Sequence, residues 1–475
     1  MVPLLVVALG CTLDEPHTGE GSHSRRLRAE GTHIVDGSGD VVPLRGVAVG
    51  GWNFHENWIT LVDYPAHGRL HVLGEEAGIG ADVGAVLTSV GPNEKADAAW
   101  LEAFAAALEP RVGAEATAAL LAELALYPSV VDDSDKGMRL VLEDRFGVEG
   151  RDALLDRFQA AWFDGDDIAW LAEQGFTLVR LPMGYRGLTS MSDVGDPTEL
   201  VWNEAAFAQL DAILDACETH GMYAVLDVQE SPGGQNEYSG ASTLYTDPAM
   251  QALTVELWQE LSRRYADRDA VAAYSLLAEP MSAPSTQARD EMYDQLVKAI
   301  RAQGDDHLLV IHDGFSGLYT LPEPAEYGWE GVVYSTHLFE WGADSLADYE
   351  AVIGAYATLF DEAQARQGVP YYIGSFATFQ DEDWAYDGAA HMVDTFEAHQ
   401  WPWTLWTYKR IDDPIDAALW GTSTSWGLRG RLEGEFSRPD VYRDDEATLG
   451  AKFDAYGDLD IRPNEALYEA VTAGW

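Results

Sequence analysis

The sequence predicts an α/β protein built as a (β/α)8 TIM barrel, with a helical insertion between strands 1 and 2. Three observations lead there. Short apolar runs alternate with amphipathic helical patterns through most of the chain. The runs are nearly continuous in apolar residues, as parallel strands covered on both faces must be. Eight runs can be counted, the number that closes such a barrel. A chain of 475 residues with 47% hydrophobic content is long enough to bury that core as one domain.

The elements follow in order. "THIVDGSGDVVPLRGVAVGGWN" places two apolar runs around "DGSG", a hairpin signal, and leads into a first strand at 44–51. "GFTLVRLPM" (175–183) follows the helical pattern "DGDDIAWLAEQ", and "GMYAVLDVQ" (221–229) follows "NEAAFAQLDAILDACETH". "VAAYSLLAE" (271–279) and "HLLVIHDGF" (307–315) each follow a further amphipathic segment. "VVYSTHLFE" (332–340), "PYYIGSFA" (370–377) and "WPWTLWTYK" (401–409) complete the eight. Between the first two strands, residues 55–160 form the insertion. "ADAAWLEAFAAALEP" and "AEATAALLAELALYP" are alanine-rich and helical, and "GMRLVLEDRFGVEGRDALLDRFQAAW" continues the pattern. It is either a lid over the barrel mouth or a lateral addition. The barrel domain is assigned to 32–475.

Charge limits the partners. The chain carries 80 acidic and 29 basic residues, a net charge of −51. So acidic a surface repels nucleic acid and anionic lipid head groups and suits neutral partners. Two cysteines, Cys11 and Cys217, make no disulfide framework. Cys217 lies in a helical pattern and reads as a small core residue. Cys11 ends the apolar run "MVPLLVVALGC", which resembles the lipobox of a bacterial lipoprotein signal. That reading gives a signal segment at 1–11, a tether at 12–31 and a secreted or cell-surface protein whose sole membrane link is a lipid on Cys11. A monomer is expected, with no cofactor. His307, His312 and His337 lack metal-ligand spacing, and no metal site is expected.

Catalytic groups of such barrels lie at the carboxyl ends of the strands. The last inward positions read from the sequence are Arg180, Gln229, Glu279, His337, Ser375 and Trp406, with Asp313 as a candidate on the fifth strand. Glu279, in "LLAEP", is an acid on a buried strand end, costly unless used or paired. Arg180 is the partner that a purely structural role would give it.

These motifs together resemble glycoside hydrolase family 5, especially its exo-β-1,3-glucanase-like branches. The resemblance runs through "VPLRGVAVGGWN", "GFTLVRLPMGY", "VLDVQESPGGQN", "YSLLAEP", "YSTHLFEWG", "YIGSFA", "WTLWTYK" and "RPNEALYEAV", all in the family's order. It implies hydrolysis of β-glycosidic bonds with retention, by two carboxylates about 5–5.5 Å apart, one an acid/base and one a nucleophile. Carried over, Arg180 matches the second-strand arginine, Glu279 the acid/base, His337 the sixth-strand histidine and Trp406 the sugar platform. Four positions depart. Gln229 stands for a histidine, Ala278 for the asparagine that meets the sugar 2-hydroxyl, Phe339 for a tyrosine that donates to the nucleophile, and Ser375 for the nucleophile itself. A neutral hydroxyl has neither the charge nor the pKa for that task.

The resulting expectation is a family 5-like protein that binds β-glucan or a related oligo- or polysaccharide, with retaining hydrolysis impaired. The alternatives are an active β-glycosidase that pairs Glu279 with a relocated nucleophile or base, and a surface protein with a vestigial pocket. Glu230, Glu237, Asp313 and Glu340 are the acids near strand ends, Glu340 the first to check. Trp52, Trp58, Trp341, Trp384, Trp403 and Trp406 fall in or near mouth loops. Trp341 and Trp406 are expected to face sugar, and Trp58 and Trp403 to pack as wall. Gln235 and Asn236, in "PGGQN", either offer amides to hydroxyls or shape a glycine-rich turn. Without a nucleophile's charge, and with Arg180 near, Glu279 is expected to be ionised at neutral pH, although burial opposes this. Ser375 beside His337 also has the make-up of a nucleophile–base pair, but the family's geometry supplies no oxyanion hole.

Overall fold

The computed structural model describes residues 25–62, 66–91, 97–127, 135–236, 242–378, 384–411, 427–432 and 436–475. The expected lipidation site Cys11, its tether as far as residue 24 and the candidate acid Glu237 lie outside these segments. A short hairpin comes first, β1 (Arg28–Glu30) against β2 (His33–Val35). Its turn falls at Gly31, which has φ +59, ahead of "DGSG". The "DGSG" segment closes just one further bridge, Val35 to Val41.

Eight parallel strands then form a closed barrel: β3 (Arg45–Ala48), β4 (Leu178–Gly184), β5 (Tyr223–Glu230), β6 (Val271–Ser275), β7 (Leu308–His312), β8 (Val332–Phe339), β9 (Tyr371–Ala377) and β10 (Trp403–Leu405). Each pairs with its successor, and β10 returns to β3 with Trp403 opposite Arg45. All eight expected strands are present. The main difference lies in length: the runs at 271–279 and 401–409 are strand only over Val271–Ser275 and Trp403–Leu405. The residues that follow these strands, Glu279 and Trp406 among them, are loop at the carboxyl end of the barrel.

Alternation along the strands sorts the core into two layers. Leu44, Leu178, Val225, Ala273, Leu308, Val310, Val333 and Tyr372 point inward, and Leu27 and Ile34 join them from the hairpin end. The intervening residues face the surrounding helices. Those helices begin at conventional caps. Asn203 accepts from Ala205 and Ala206, Asp247 precedes Pro248 at the first helical position, and Asp164 and Asp167 form a reciprocal capping box.

The insertion folds as helices Ala66–Glu76, Gly80–Val90, Ala98–Val112, Ala114–Leu124 and Asp135–Trp162, the last kinked at Gly147. The first four enclose their own small core of Leu70, Leu73, Val86, Phe104, Leu108 and Leu120. They pack on the C-terminal segment, through Arg69 to Asp440 at 3.1 Å and the rings of Tyr127 and Tyr442. The helix Asp135–Trp162 is tied to the barrel by a buried charge network. Arg139 and Arg151 both donate to Asp193 Oδ2, at 2.9 and 2.6 Å, and Arg186 bridges Asp193 and Glu230 at 3.0 and 3.1 Å.

A second buried cluster locks the chain where it leaves β10. Asp167 accepts from Tyr408 Oη at 2.7 Å and from Lys409 Nζ at 3.0 Å, with Arg429 at 3.5 Å. Removing the carboxylate leaves the buried ammonium of Lys409 unpaired, which is costly. Asp167→Ala is therefore expected to lower the unfolding free energy by roughly 3–5 kcal/mol, read as a shift in a urea denaturation curve. A loss below about 1 kcal/mol, the range of exposed pairs, would show that the cluster is solvated.

Candidate active site

The barrel mouth is built from the last inward residue of each strand. On β4, alternation from Leu178 brings Arg180 inward. On β5, alternation from Val225 brings in Asp227 and then Gln229. Arg180 Nη2 donates to Asp227 Oδ2 at 2.8 Å and to Gln229 Oε1 at 3.1 Å. Asp227, which sequence reasoning passed over, is thus the ion-pair partner of Arg180, and both are almost fully buried. The signal was available in "LDVQ", since Asp227 and Gln229 share one face of a strand.

Glu279 follows β6 in a tight turn with φ +48. This left-handed conformation is uncommon for a residue with a side chain and clusters at functional sites. The turn is braced from below. Gln235 Nε2 donates to the carbonyls of Gln229 at 2.7 Å and Ala278 at 3.0 Å, and its Oε1 accepts from Ser231 N. Asn236 Nδ2 donates to the Glu279 carbonyl at 3.3 Å. The sequence leaves Gln235 and Asn236 either to meet sugar hydroxyls or to shape the turn. They are buried with these amide N–H groups turned to backbone, which is the turn-shaping role.

The side chain of Glu279, 9% exposed, meets His337, not the Arg180 that a purely structural role would give it: Oε1 lies 2.6 Å from Nδ1. Burial raises the carboxyl pKa above its ordinary value and outweighs the opposing charges of His312 and Arg180. The shift therefore runs upward, against the pull of Arg180, because desolvation wins. Burial likewise drives the pKa of His337 well below that of a free histidine, with the Arg180 charge adding to it.

On β7, alternation from Leu308 and Val310 turns His312 inward, not Asp313. Asp313 accepts from Phe315 N and Gly317 N, each at 3.0 Å, and shapes the loop; burial raises its pKa to about 6. His312 lies against His337 with ring centroids 4.3 Å apart. Phe315 and Phe339 each stand 6.3 Å from the His337 ring.

Ser375 sits on β9 opposite His337. A register shift at this point of the β8–β9 pair brings Gly374 and Ser375 successively to the inner side. Phe376, next along, packs outward on Phe396 and Trp403. A side chain on Gly374 would press on the Ser335 hydroxyl and crowd His337 Nε2, so a larger residue there requires Ser335 to turn and the His337 ring to shift. Ser375 is 1% exposed, and its Oγ has no hydrogen-bond partner among the described residues.

Trp406 follows β10. It is 8% exposed and stands beside Trp58, their ring centroids 6.3 Å apart. The platform is thus largely covered. Trp341, after β8, is 66% exposed and is the open aromatic surface of the rim. Trp403 is fully buried in the wall, as expected. Of the alternative acids, Glu340 Oε1 accepts from Gly342 N at 2.6 Å, within its own turn. Glu230 is held by Arg186, and burial raises its pKa to about 7. Among the described residues, no three His, Cys, Asp or Glu side chains are grouped to hold a metal ion.

Comparison with known proteins agrees with this geometry. Residues 147–411 match the family model for cellulase, glycosyl hydrolase family 5, and the chain belongs to that family. A protein of Phanerodontia chrysosporium named beta-xylosidase is 28% identical over 319 residues, covering 66% of this chain and 51% of that protein. Endoglucanase C of Acetivibrio thermocellus is 30% identical over 174 residues, 36% of this chain and 49% of the relative. The chain thus spans about half the length of these curated relatives. A crystal structure of endogalactoceramidase superposes with a TM-score of 0.52 at 18% identity, covering 90% of this chain and 84% of that one, which shows a shared fold.

The raised pKa of Glu279 has a consequence for stability. The folded carboxyl binds its proton more tightly than the unfolded one, so the folded state is favoured below the unfolded pKa. That advantage is lost as pH rises through the folded value. Glu279→Gln, which cannot ionise, is expected to gain stability relative to the wild-type chain as pH rises from the ordinary carboxylate range toward neutrality. Thermal unfolding across that range checks this, and a difference independent of pH would contradict it.

Proposed function

We propose that the barrel mouth binds a β-linked glycan, a β-glucan or a close relative, and that the retaining glycosidase reaction is lost. The observation that carries this reading is the hydroxyl of Ser375, buried at the position where the family resemblance calls for an anionic nucleophile. An oxocarbenium-like transition state then has no facing carboxylate to attack or stabilise it. Glu279 remains as a buried acid held by His337. The other three departures support the same reading. Ala278 offers no amide to the sugar 2-hydroxyl, Phe339 has no hydroxyl to orient a nucleophile, and Gln229 is engaged with Arg180.

One observation favours a second reading. Burial raises the pKa of Asp227 against the pull of Arg180, and the charge of Glu279 adds a smaller upward push, so the two acids lie within electrostatic reach of each other. A working hydrolase would have to free Asp227 from Arg180 and use it as the second carboxylate. We further propose that the chain is a single barrel domain displayed at the cell surface through Cys11, as the lipobox-like "VVALGC" suggests.

Laminari- and cello-oligosaccharides are expected to bind, seen by calorimetry, without release of shorter products. Sugar products of defined anomeric form would establish the second reading, and absence of binding would sink both. Trp341→Ala is expected to weaken binding about 3- to 10-fold, in line with roughly 0.5–1.5 kcal/mol for an aromatic contact, with the unfolding midpoint unchanged. Ser375→Glu is expected to leave glycan hydrolysis undetectable, because Ala278, Phe339 and Gln229 would still lack the family's supporting groups. Efficient hydrolysis by that single variant would contradict the account.

A further inference from the structure

Three polar groups at the mouth have hydrogen-bonding capacity that the described residues are not seen to fill. The first is Ser375 Oγ, buried and without a partner among the described residues. The second is His337 Nε2. Its ring lies between Glu279 and β9, with Nδ1 2.6 Å from the Glu279 carboxyl and Nε2 facing Gly374, where an added Cβ would stand 3.1 Å away. When Glu279 is ionised, Nδ1 must carry the proton and donate it. The lone pair of the neutral ring is then on Nε2, turned toward the strand that bears Ser375. The third is His312 Nε2. Gly314 N donates to His312 Nδ1 at 2.9 Å, which fixes the proton of that neutral ring on Nε2. This N–H is buried and has no acceptor among the described residues, and its ring abuts His337.

A hydroxyl, a correctly tautomeric imidazole, a carboxylate that orients it and a spare N–H donor are the parts of an acyl-transfer site. We propose that Ser375, whose hydroxyl makes no hydrogen bond to His337 or to any other described residue in the resting structure, turns to His337 when substrate enters and completes such a relay with His337 and Glu279, with His312 as oxyanion donor, and that the pocket hydrolyses an acyl ester carried on a sugar. A hydroxyl cannot displace at an acetal carbon without a carboxylate's charge, but an ester carbonyl is an electrophile that a base-assisted hydroxyl can attack. The sugar half of the assignment rests on the glycan-binding reading, whereas the acyl half does not.

Ser375 Oγ bonds to the carbonyl carbon as its proton passes to His337 Nε2, and the carbonyl pair moves onto oxygen facing His312 Nε2–H. The intermediate collapses by breaking the ester C–O bond to the sugar, whose alkoxide takes the proton from His337. Water then attacks acyl-Ser375 with the same base and releases a carboxylic acid. The sum is ester plus water giving sugar alcohol plus acid. Ser375 is the nucleophile, His337 the base, and Glu279 a positioning residue.

The test uses the full chain and a fluorophosphonate, followed by intact-mass and peptide mapping. One phosphonyl adduct on Ser375 is expected. No adduct there, under conditions that label a control serine hydrolase, would overturn the relay without reference to any variant's folding. With p-nitrophenyl acetate, Ser375→Ala is expected to lower kcat at least 100-fold at an unchanged unfolding midpoint. Glu279→Gln is expected to lower kcat at least 10-fold with KM within about twofold, a split that a merely structural role would not give. Wild-type rates in Ser375→Ala would overturn the proposal. Acetate release from acetylated xylo- or cello-oligosaccharides supports the sugar half. Activity on p-nitrophenyl acetate with none on those glycans overturns that half and leaves carbohydrate binding, measured separately, untouched.

Discussion

In a closed ring of parallel strands, inward side chains have only one another, and whatever enters the mouth, to meet. Polar groups placed there lose water and must find partners among themselves. Here that constraint has produced a short chain of contacts. Arg180 pairs with Asp227 and Gln229, Glu279 with His337, and His337 packs against His312. The residues below serve the same end, since Gln235 and Asn236 give their amides to the backbone turn that carries Glu279. The pocket is organised around that carboxyl group.

Set against this order, Ser375 is an exception. It occupies the seventh strand at the register where the family resemblance calls for a carboxylate, and its hydroxyl is left unpaired among the described residues. The neighbouring departures have a common physical sense. A tyrosine hydroxyl has no carboxylate to orient, so a phenylalanine suffices at 339. On the proposed loss of the retaining reaction, an amide that contacts the sugar in the transition state would have none to serve, and alanine would suffice at 278. What remains is the binding surface and a buried Glu–His pair. Such a pair can move a proton, which is why the proposed loss of one chemistry would leave room for another at the same place.

The fold was legible because alternation and burial act strand by strand. Each of the eight runs was apolar enough to be buried on both faces, and each is a barrel strand. The parts misplaced were those settled by neighbours rather than by the local run. "DGSG" looks like the hairpin turn, yet the strands pair across Gly31. Asp313 looked like the polar end of the fifth strand, but alternation from Leu308 turns His312 inward and leaves Asp313 to cap a loop. Asp227 shares the inward face of its strand with Gln229, a pattern visible in "LDVQ", but its partner becomes known only when Arg180 is placed beside it. Gln235 and Asn236 were assigned to the right turn, but their amides face the backbone beneath Glu279 rather than the mouth, a choice that depends on packing across β5 and β6. The charge state of Glu279 was likewise a contest between burial and Arg180, and only the three-dimensional distances show that burial prevails.

The central claim is that no carboxylate in this pocket attacks the anomeric carbon. Activated 2-deoxy-2-fluoro β-glycosides of glucose, cellobiose and laminaribiose trap such a nucleophile as a stable ester, and mass spectrometry of the intact chain reads the outcome. The account predicts an unchanged mass after prolonged incubation. A fluoroglycosyl adduct mapped to Asp227, Glu230 or any other acidic side chain would contradict it.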